Sequence, residues 1–315
     1  MITKALITTL LFFFSISLKS QTGSETETDY LNMKKYVVGV GAVVADSVMK
    51  NNRKIVEKRF ITIGSGLMTY SKYDTIIIYT VITARHVIDY FKLNKIKTLY
   101  IRPSWADTIK TTDYFGVGIP LENTDKTSNV YLYPESHIDL GAILMLPRYF
   151  DKLYFERDLK ENTKIFPYNS MKNPFLGTQV WIGGYPGHIQ SQVQNQFHYS
   201  FATFKPGYVA WKPPLSISNK ELNHISLIES NASFGNSGGP VFLIGNTFEL
   251  VGILVAGYDE YQNVYLGEKL LIDSLSKKPY LSKGRSGVSI IENAEYVKKL
   301  IEYTQIQIRN YKWKF

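Results

Sequence analysis

Residues 234–242 read FGNSGGPVF, so Ser237 lies between Gly235-Asn236 and Gly238-Gly239, with an apolar strand opening directly behind it at Pro240-Val241-Phe242. A serine hydroxyl is a weak nucleophile and needs a base to take its proton and N–H donors for the oxyanion that develops. Glycines on both sides let the backbone turn tightly, which aims the N–H groups of Gly235 and Ser237 into one hole. An ordinary glycine-rich turn with Asn236 as turn former fits the same letters. Which reading holds depends on what else the chain carries.

The same residues also satisfy G-x-S-x-G, the nucleophile elbow of a fold that places its histidine after the serine. All 5 histidines, His86, His137, His188, His198 and His224, precede Ser237, so chain order argues against that fold. His86 is the best candidate base. It follows the apolar run TIIIYTVIT and lies in TARHVID, where a strand ends and a helical turn can begin. His188, His198 and His224 have no partner motif and read as surface or satisfied structural histidines. The third group needed is a carboxylate that orients the imidazole and stabilises its cation. Asp139, in HIDLGAILML, opens an apolar strand and is placed to point into a cleft, although an aspartate there is also a common turn residue. His137 makes a metal site conceivable, but no third ligand stands at a matching spacing, and no metal is expected.

Outward from these residues, short β-branched and aromatic runs alternate with turn residues. The first series is YVVGVGAVVA, RFITIGSGLMTY, TIIIYTVIT, KTLYIRP, NVYLYP and LGAILML. The second is QVWIGGYPG, QFHYSFATF, GYVAW, HISLIE, PVFLI and FELVGILVAG. This pattern predicts an all-β protein of two six-stranded antiparallel β-barrels, at residues 36–160 and 161–290. Ser104 to Ser128 is polar and long for a hairpin connection, and it reads as a surface insertion. Residues 21–35 lack apolar periodicity and read as a flexible lead-in. Residues 291–315 form a C-terminal helix and tail: Val297, Leu300, Ile301, Thr304 and Ile308 follow helical spacing, Asn293 can cap the start, and the apolar face should pack on the second barrel.

The 315 residues are 44% hydrophobic, enough for one large core or two small ones. Residues 1–20, MITKALITTLLFFFSISLKS, carry Lys4, an apolar run from Ala5 to Leu18 and a small, polar end, the pattern of a secretory signal peptide. The run is shorter than the roughly 20 residues of a spanning helix, so no stable membrane insertion is expected after cleavage, and the mature protein is expected to be secreted or periplasmic. With no cysteine, disulfides and thiolate chemistry are excluded. The formal charge of +9 is scattered rather than clustered, which argues against a nucleic-acid partner.

Taken together, the motifs resemble those of the trypsin-like serine peptidases of the chymotrypsin clan. TARH is similar to T-A-x-H, DLGAIL to D-[IL]-A-[IL]-[IL] and GNSGGPV to G-[DN]-S-G-[GS]-P-[VL], in the same chain order. GSGLMTY, GGYPG and GVSIIENAEYVKKLI resemble the bacterial branches, glutamyl endopeptidases and the protease domains of HtrA enzymes. The resemblance implies a double barrel and a catalytic triad of His86, Asp139 and Ser237, with an oxyanion hole from Gly235 and Ser237, no cofactor and polypeptide substrates. It implies a specificity pocket with Asn231 near its base, Phe234 at the rim and Val255, Ala256 and Gly257 along one wall. Where digestive members carry an aspartate before the nucleophile this chain has Asn236. The strand serine that supports the aspartate in many animal members aligns with Val255, so that support must come from elsewhere, such as a backbone N–H. A non-catalytic peptide- or protein-binding module on the same fold is the alternative.

Overall fold

The computed structural model describes residues 23–50, 53–73, 76–146, 149, 166–167, 170–186, 199–214, 219, 221–230, 235–243, 248–263, 265–266, 269–270 and 281–310. The expected signal segment at 1–20, Asn231 and Phe234 of the expected pocket, and His188 and His198 lie outside the described residues.

The chain folds into two β-units and a helix that bridges them. The first unit contains β1 (Val37–Lys50), β2 (Arg53–Tyr73), β3 (Ile76–Ala84), β4 (Thr98–Pro103), β5 (Val117–Pro120), β6 (Val130–Leu132) and β7 (Leu140–Met145). These make one curled seven-stranded sheet, ordered β5-β4-β1-β2-β3-β7-β6, with every pairing antiparallel. The second unit contains β8 (Gln179–Gly184), β9 (Thr203–Trp211), β10 (Ile225–Glu229), β11 (Pro240–Leu243), β12 (Glu249–Asn263) and β15 (Leu281–Asn293), closed in the order β10-β15-β12-β11-β8-β9. The short β13 (Tyr265–Leu266) and β14 (Lys269–Leu270) pair only with each other.

The all-β double-barrel architecture with a C-terminal helix is the one the sequence predicts, with three local corrections. Ser104–Ser128 is not a surface insertion. It begins with a 3-10 turn at Ser104–Thr108 whose Ser104, Ala106 and Asp107 are buried, and it supplies β5, the seventh strand, which pairs with β4. Gly118 and Pro120 within VGIP hide the strand pattern. Thr203 and Phe204 at the end of QFHYSFATF belong to the same strand as GYVAW, β9, and the sixth stave of the barrel is β15. Finally, residues within the expected lead-in form helix α1 (Gly23–Lys34). Three side chains near its C-terminal end dock it: Met33 is buried, the Tyr30 ring meets Phe204 edge-on, and Lys34 pairs with Asp107 at 2.8 Å. Tertiary contact rather than an apolar stripe holds it, so periodicity could not reveal it.

Alternation of buried and exposed residues builds two cores. Val180, Ile182, Val209, Ile228, Val241, Val251, Leu254 and Ile291 fill the closed barrel. The larger cluster runs through the first sheet, including Val38, Leu67, Val81, Ile82, Leu140 and Ile143, and continues beneath helix α3 (Ala294–Asn310). The α3 face of Val297, Leu300, Ile301, Thr304 and Ile308 is fully buried, as its spacing predicts. It packs on β2 and β7 of the sheet as well as β12 and β15 of the barrel, so the helix clamps both units. Each buried aliphatic side chain contributes about 1.5–3 kcal/mol. The Asn293 Oδ1 ahead of α3 accepts a hydrogen bond from Ser226 Oγ at 2.7 Å.

Candidate active site

Strand β3 ends at Ala84, and helix α2 (Arg85–Leu93) begins at once, putting His86 in its first turn. Val87, Ile88 and Phe91 are buried and anchor α2 to the sheet. The first N–H groups of a helix have no partner within it, and Ala84 offers no side-chain cap. Asp139, directly ahead of β7, supplies one from the neighbouring strand of the same sheet. Its carbonyl accepts from Arg85 N–H at 3.1 Å and its Oδ1 from His86 N–H at 2.9 Å. A carboxylate at the positive end of a helix is favourable in its own right.

The other carboxylate oxygen, Oδ2, lies 2.6 Å from His86 Nδ1. An ionised carboxylate only accepts, so the contact selects the neutral tautomer with its proton on Nδ1 and its lone pair on Nε2. The Asp139 carboxylate is thus supported by the backbone N–H of His86 as well as by its ring. Arg85 ties α2 to the loop before Asp139, donating to the Tyr133 and Glu135 carbonyls. Both members of the pair are partly open to solvent, at 49% for the His86 side chain and 30% for Asp139.

Ser237 arrives from the barrel side, on the turn that enters β11. Gly235 and Gly238 take φ of +88° and +85°, a region in which side chains with a Cβ are strained. At Gly238 a Cβ would also lie 2.1 Å from Thr83 Oγ1 and 2.2 Å from the Ser65 carbonyl oxygen. The turn is thus pressed against the end of β3, just ahead of His86. Three bonds hold it there: Ser65 N–H donates to the Ser237 carbonyl at 2.7 Å, Ser65 Oγ to the Gly235 carbonyl at 2.5 Å, and Gly238 N–H to the Leu254 carbonyl at 2.7 Å. Among the described residues, the N–H groups of Gly235 and Ser237 donate to no backbone carbonyl.

Neither a protein-family model nor a curated protein matches the sequence. Solved structures do, and those matched include protease domains. The MamO protease domain from Magnetospirillum magneticum, in its apo form, is 15% identical with a TM-score of 0.45, covering 86% of this chain and 97% of that one. The Rv3671c protease in an inactive form is 13% identical with a TM-score of 0.40, covering 86% of this chain and 90% of that one.

Of the expected pocket wall, Val255 is buried, Ala256 exposed and Gly257 half-buried on β12. The pairing of β11 with β12 ends at Pro240 and Ile253, so residues 255–257 run past it. The Asn236 side chain is buried, and neither of its amide atoms has a hydrogen-bond partner among the described residues. Among the described residues no group of three or more histidine, aspartate or glutamate side chains is arranged to hold a metal ion.

Two neighbours of the site escaped the sequence reading. Ser65 joins three segments, because its Oγ also accepts from Tyr185 N–H at 2.8 Å and its carbonyl accepts from Thr83 Oγ1 at 2.6 Å. Glu292, at the end of β15, accepts the Asp139 N–H on Oε1 at 2.8 Å. In the sequence it is only a charged residue following the apolar run VSII, as at the end of an ordinary strand. His224, read as structural, is buried and hydrogen-bonded to Glu292.

Proposed function

We propose that this protein is a secreted or periplasmic serine endopeptidase that hydrolyses polypeptide substrates through an acyl-enzyme, with no metal or organic cofactor. Ser237 Oγ attacks the scissile carbonyl as His86 Nε2 takes its proton. The N–H groups of Gly235 and Ser237 receive the oxyanion, and His86 then gives the proton to the leaving amine. Water repeats the sequence in reverse to release the acid. The observation that carries the reading is the double use of the Asp139 carboxylate. One oxygen caps the helix that bears His86 and the other binds Nδ1, so one residue fixes both the position and the tautomer of the base. The glycine turn of Ser237, locked to Ser65 and Leu254, supports it from the opposite unit.

Substrate backbone adds as a strand beside Val255, Ala256 and Gly257, where the β11 ladder has ended. The acyl-side pocket, with Asn231 at its base and Phe234 at its rim, takes uncharged side chains, since a neutral amide offers no counter-charge to lysine or arginine. The test is cleavage of a mixed peptide library, read by mass spectrometry. Wild-type protein is expected to cut after uncharged residues and Ser237→Ala not to cut. A library left intact by the wild type, or cut equally by Ser237→Ala, would refute the proposal.

A further inference from the structure

Joined to Asp139 through its backbone N–H is a second histidine–carboxylate pair that the proposed mechanism does not use. His224 Nδ1 is 2.6 Å from Glu292 Oε2, and the side chains are only 5% and 1% exposed. The pair stands at the barrel's seam with the first sheet: His224 directly precedes β10, and Glu292 is the last residue but one of β15. The His137 and Tyr296 rings pack edge-on against His224 at 5.2 and 5.8 Å. Burying a carboxylate is expensive unless each oxygen is satisfied, and both are. Oε2 takes the His224 Nδ1–H, and Oε1 takes the backbone N–H of Asp139, 153 residues away in the chain.

We propose that Glu292, held by His224, is a positioning residue for the active site: it fixes the Asp139 backbone, and so the carboxylate that orients His86. The inference rests on the peptidase reading. Asp139 opens its strand from the loop Tyr133–Ile138, and its carboxylate must meet two donors of α2 at once. A loop residue meets such a demand only if its backbone is pinned. The Asp139 carbonyl is held within the first unit by Arg85 N–H, and its N–H is held by Glu292 of the opposite unit, which also sets the His86–Asp139 pair relative to the barrel that carries Ser237. A displacement of the order of 1 Å at a catalytic group costs about 10²-fold in rate.

The test compares Glu292→Leu, which leaves the Asp139 N–H without an acceptor, with Glu292→Gln, whose amide oxygen can still accept it. His224→Phe and His224→Asn form a second pair, since the asparagine amide can donate near the former Nδ1 and phenylalanine cannot. Glu292→Leu and His224→Phe are expected to lower kcat about 10- to 100-fold with KM within about threefold. Glu292→Gln and His224→Asn should stay within about threefold of wild type on both constants. If Glu292→Leu does not fold, the His224 pair decides. Independently of activity, the strongly deshielded His86 Nδ1–H proton, assigned by its loss in His86→Ala, should persist in Glu292→Gln and shift or broaden in His224→Phe. Wild-type kcat in Glu292→Leu or His224→Phe, a loss confined to KM, or equal losses in the apolar and amide variants would overturn the proposal. An inactive wild type with this proton pattern intact would instead overturn the peptidase reading and leave the positioning link standing.

Discussion

Asp139 and Asp107 are both held by hydrogen bonds in the first β-unit, yet their surroundings give them opposite uses. Asp139 is 30% exposed, faces the cleft and shares its two oxygens between a helix N-terminus and an imidazole that is itself half-exposed. Asp107 is 4% exposed and shut in, with Lys34 at 2.8 Å, Ala202 N–H at 3.0 Å and the Tyr185 hydroxyl at 3.1 Å. Burial holds the Asp107 carboxyl above its usual range and outweighs Lys34, its ammonium partner. It also pushes the Tyr185 hydroxyl far up, so that it stays a donor. Charge in the open cleft can serve chemistry. Charge in the closed one joins α1, the 3-10 turn and the segment before β9, and a chain of bonds through Tyr185 and Ser65 links it to the turn of Ser237.

That contrast can be broken at several points. The largest effects belong to the open site: His86→Ala and Ser237→Ala should each lower kcat by about 10⁶-fold, and the double variant by no more than either, because residues acting as a unit are not additive. Asp139→Asn is next, with a loss of about 10⁴-fold. Its thermal unfolding should change by less than about 1 kcal/mol, since asparagine is as good a helix cap as aspartate. A large loss of stability with kcat retained would reverse the roles assigned to the two aspartates.

In the closed site the order should invert. Lys34→Ala removes the only cation bonded to Asp107 among the described residues. It should cost about 2 kcal/mol in chemical denaturation, below the about 3–5 of a fully buried pair because Lys34 is partly exposed. Turnover should stay near that of the wild type. The smallest effect is a slope. The folded-state pKa of Asp107 is raised above its ordinary 3.8, so the native state binds the proton more tightly than the unfolded state. Its contribution is complete below the ordinary value and is lost as pH rises through the folded-state pKa. Asp107→Asn lacks this term, so its stability relative to wild type should increase as pH rises from about 4 toward neutrality. A relative stability that falls over that range would contradict the assignment.

The legible parts were those set by short-range pattern. The five positions of the α3 face, the turn around Ser237 and the step from strand to helix at His86 each follow from local spacing and glycine content. Residues joined over long distances were not legible. Glu292 supports Asp139 from 153 positions away, and nothing in VSIIEN announces a carboxylate with two separate donors. Ser104–Ser128 read as surface from its polar composition, whereas Asp107 within it is buried, as are Arg102 and Asn129 on its flanks. Arg102 donates to the Ala106, Ile109 and Tyr114 carbonyls, and Asn129 to the Pro120 carbonyl. Composition separates inside from outside only when polar groups lack partners, and here Arg102 and Asn129 find them in that segment while Asp107 finds them in Lys34, Tyr185 and Ala202.

The central claim is that Ser237 is a nucleophile activated by His86. A fluorophosphonate probe followed by peptide mapping addresses it directly, because such probes phosphonylate an activated serine and spare ordinary hydroxyls. The adduct is expected on Ser237 in the wild type, lost in Ser237→Ala and strongly reduced in His86→Ala. An unlabelled wild type, or labelling of Ser237 that His86→Ala leaves unchanged, would contradict the account.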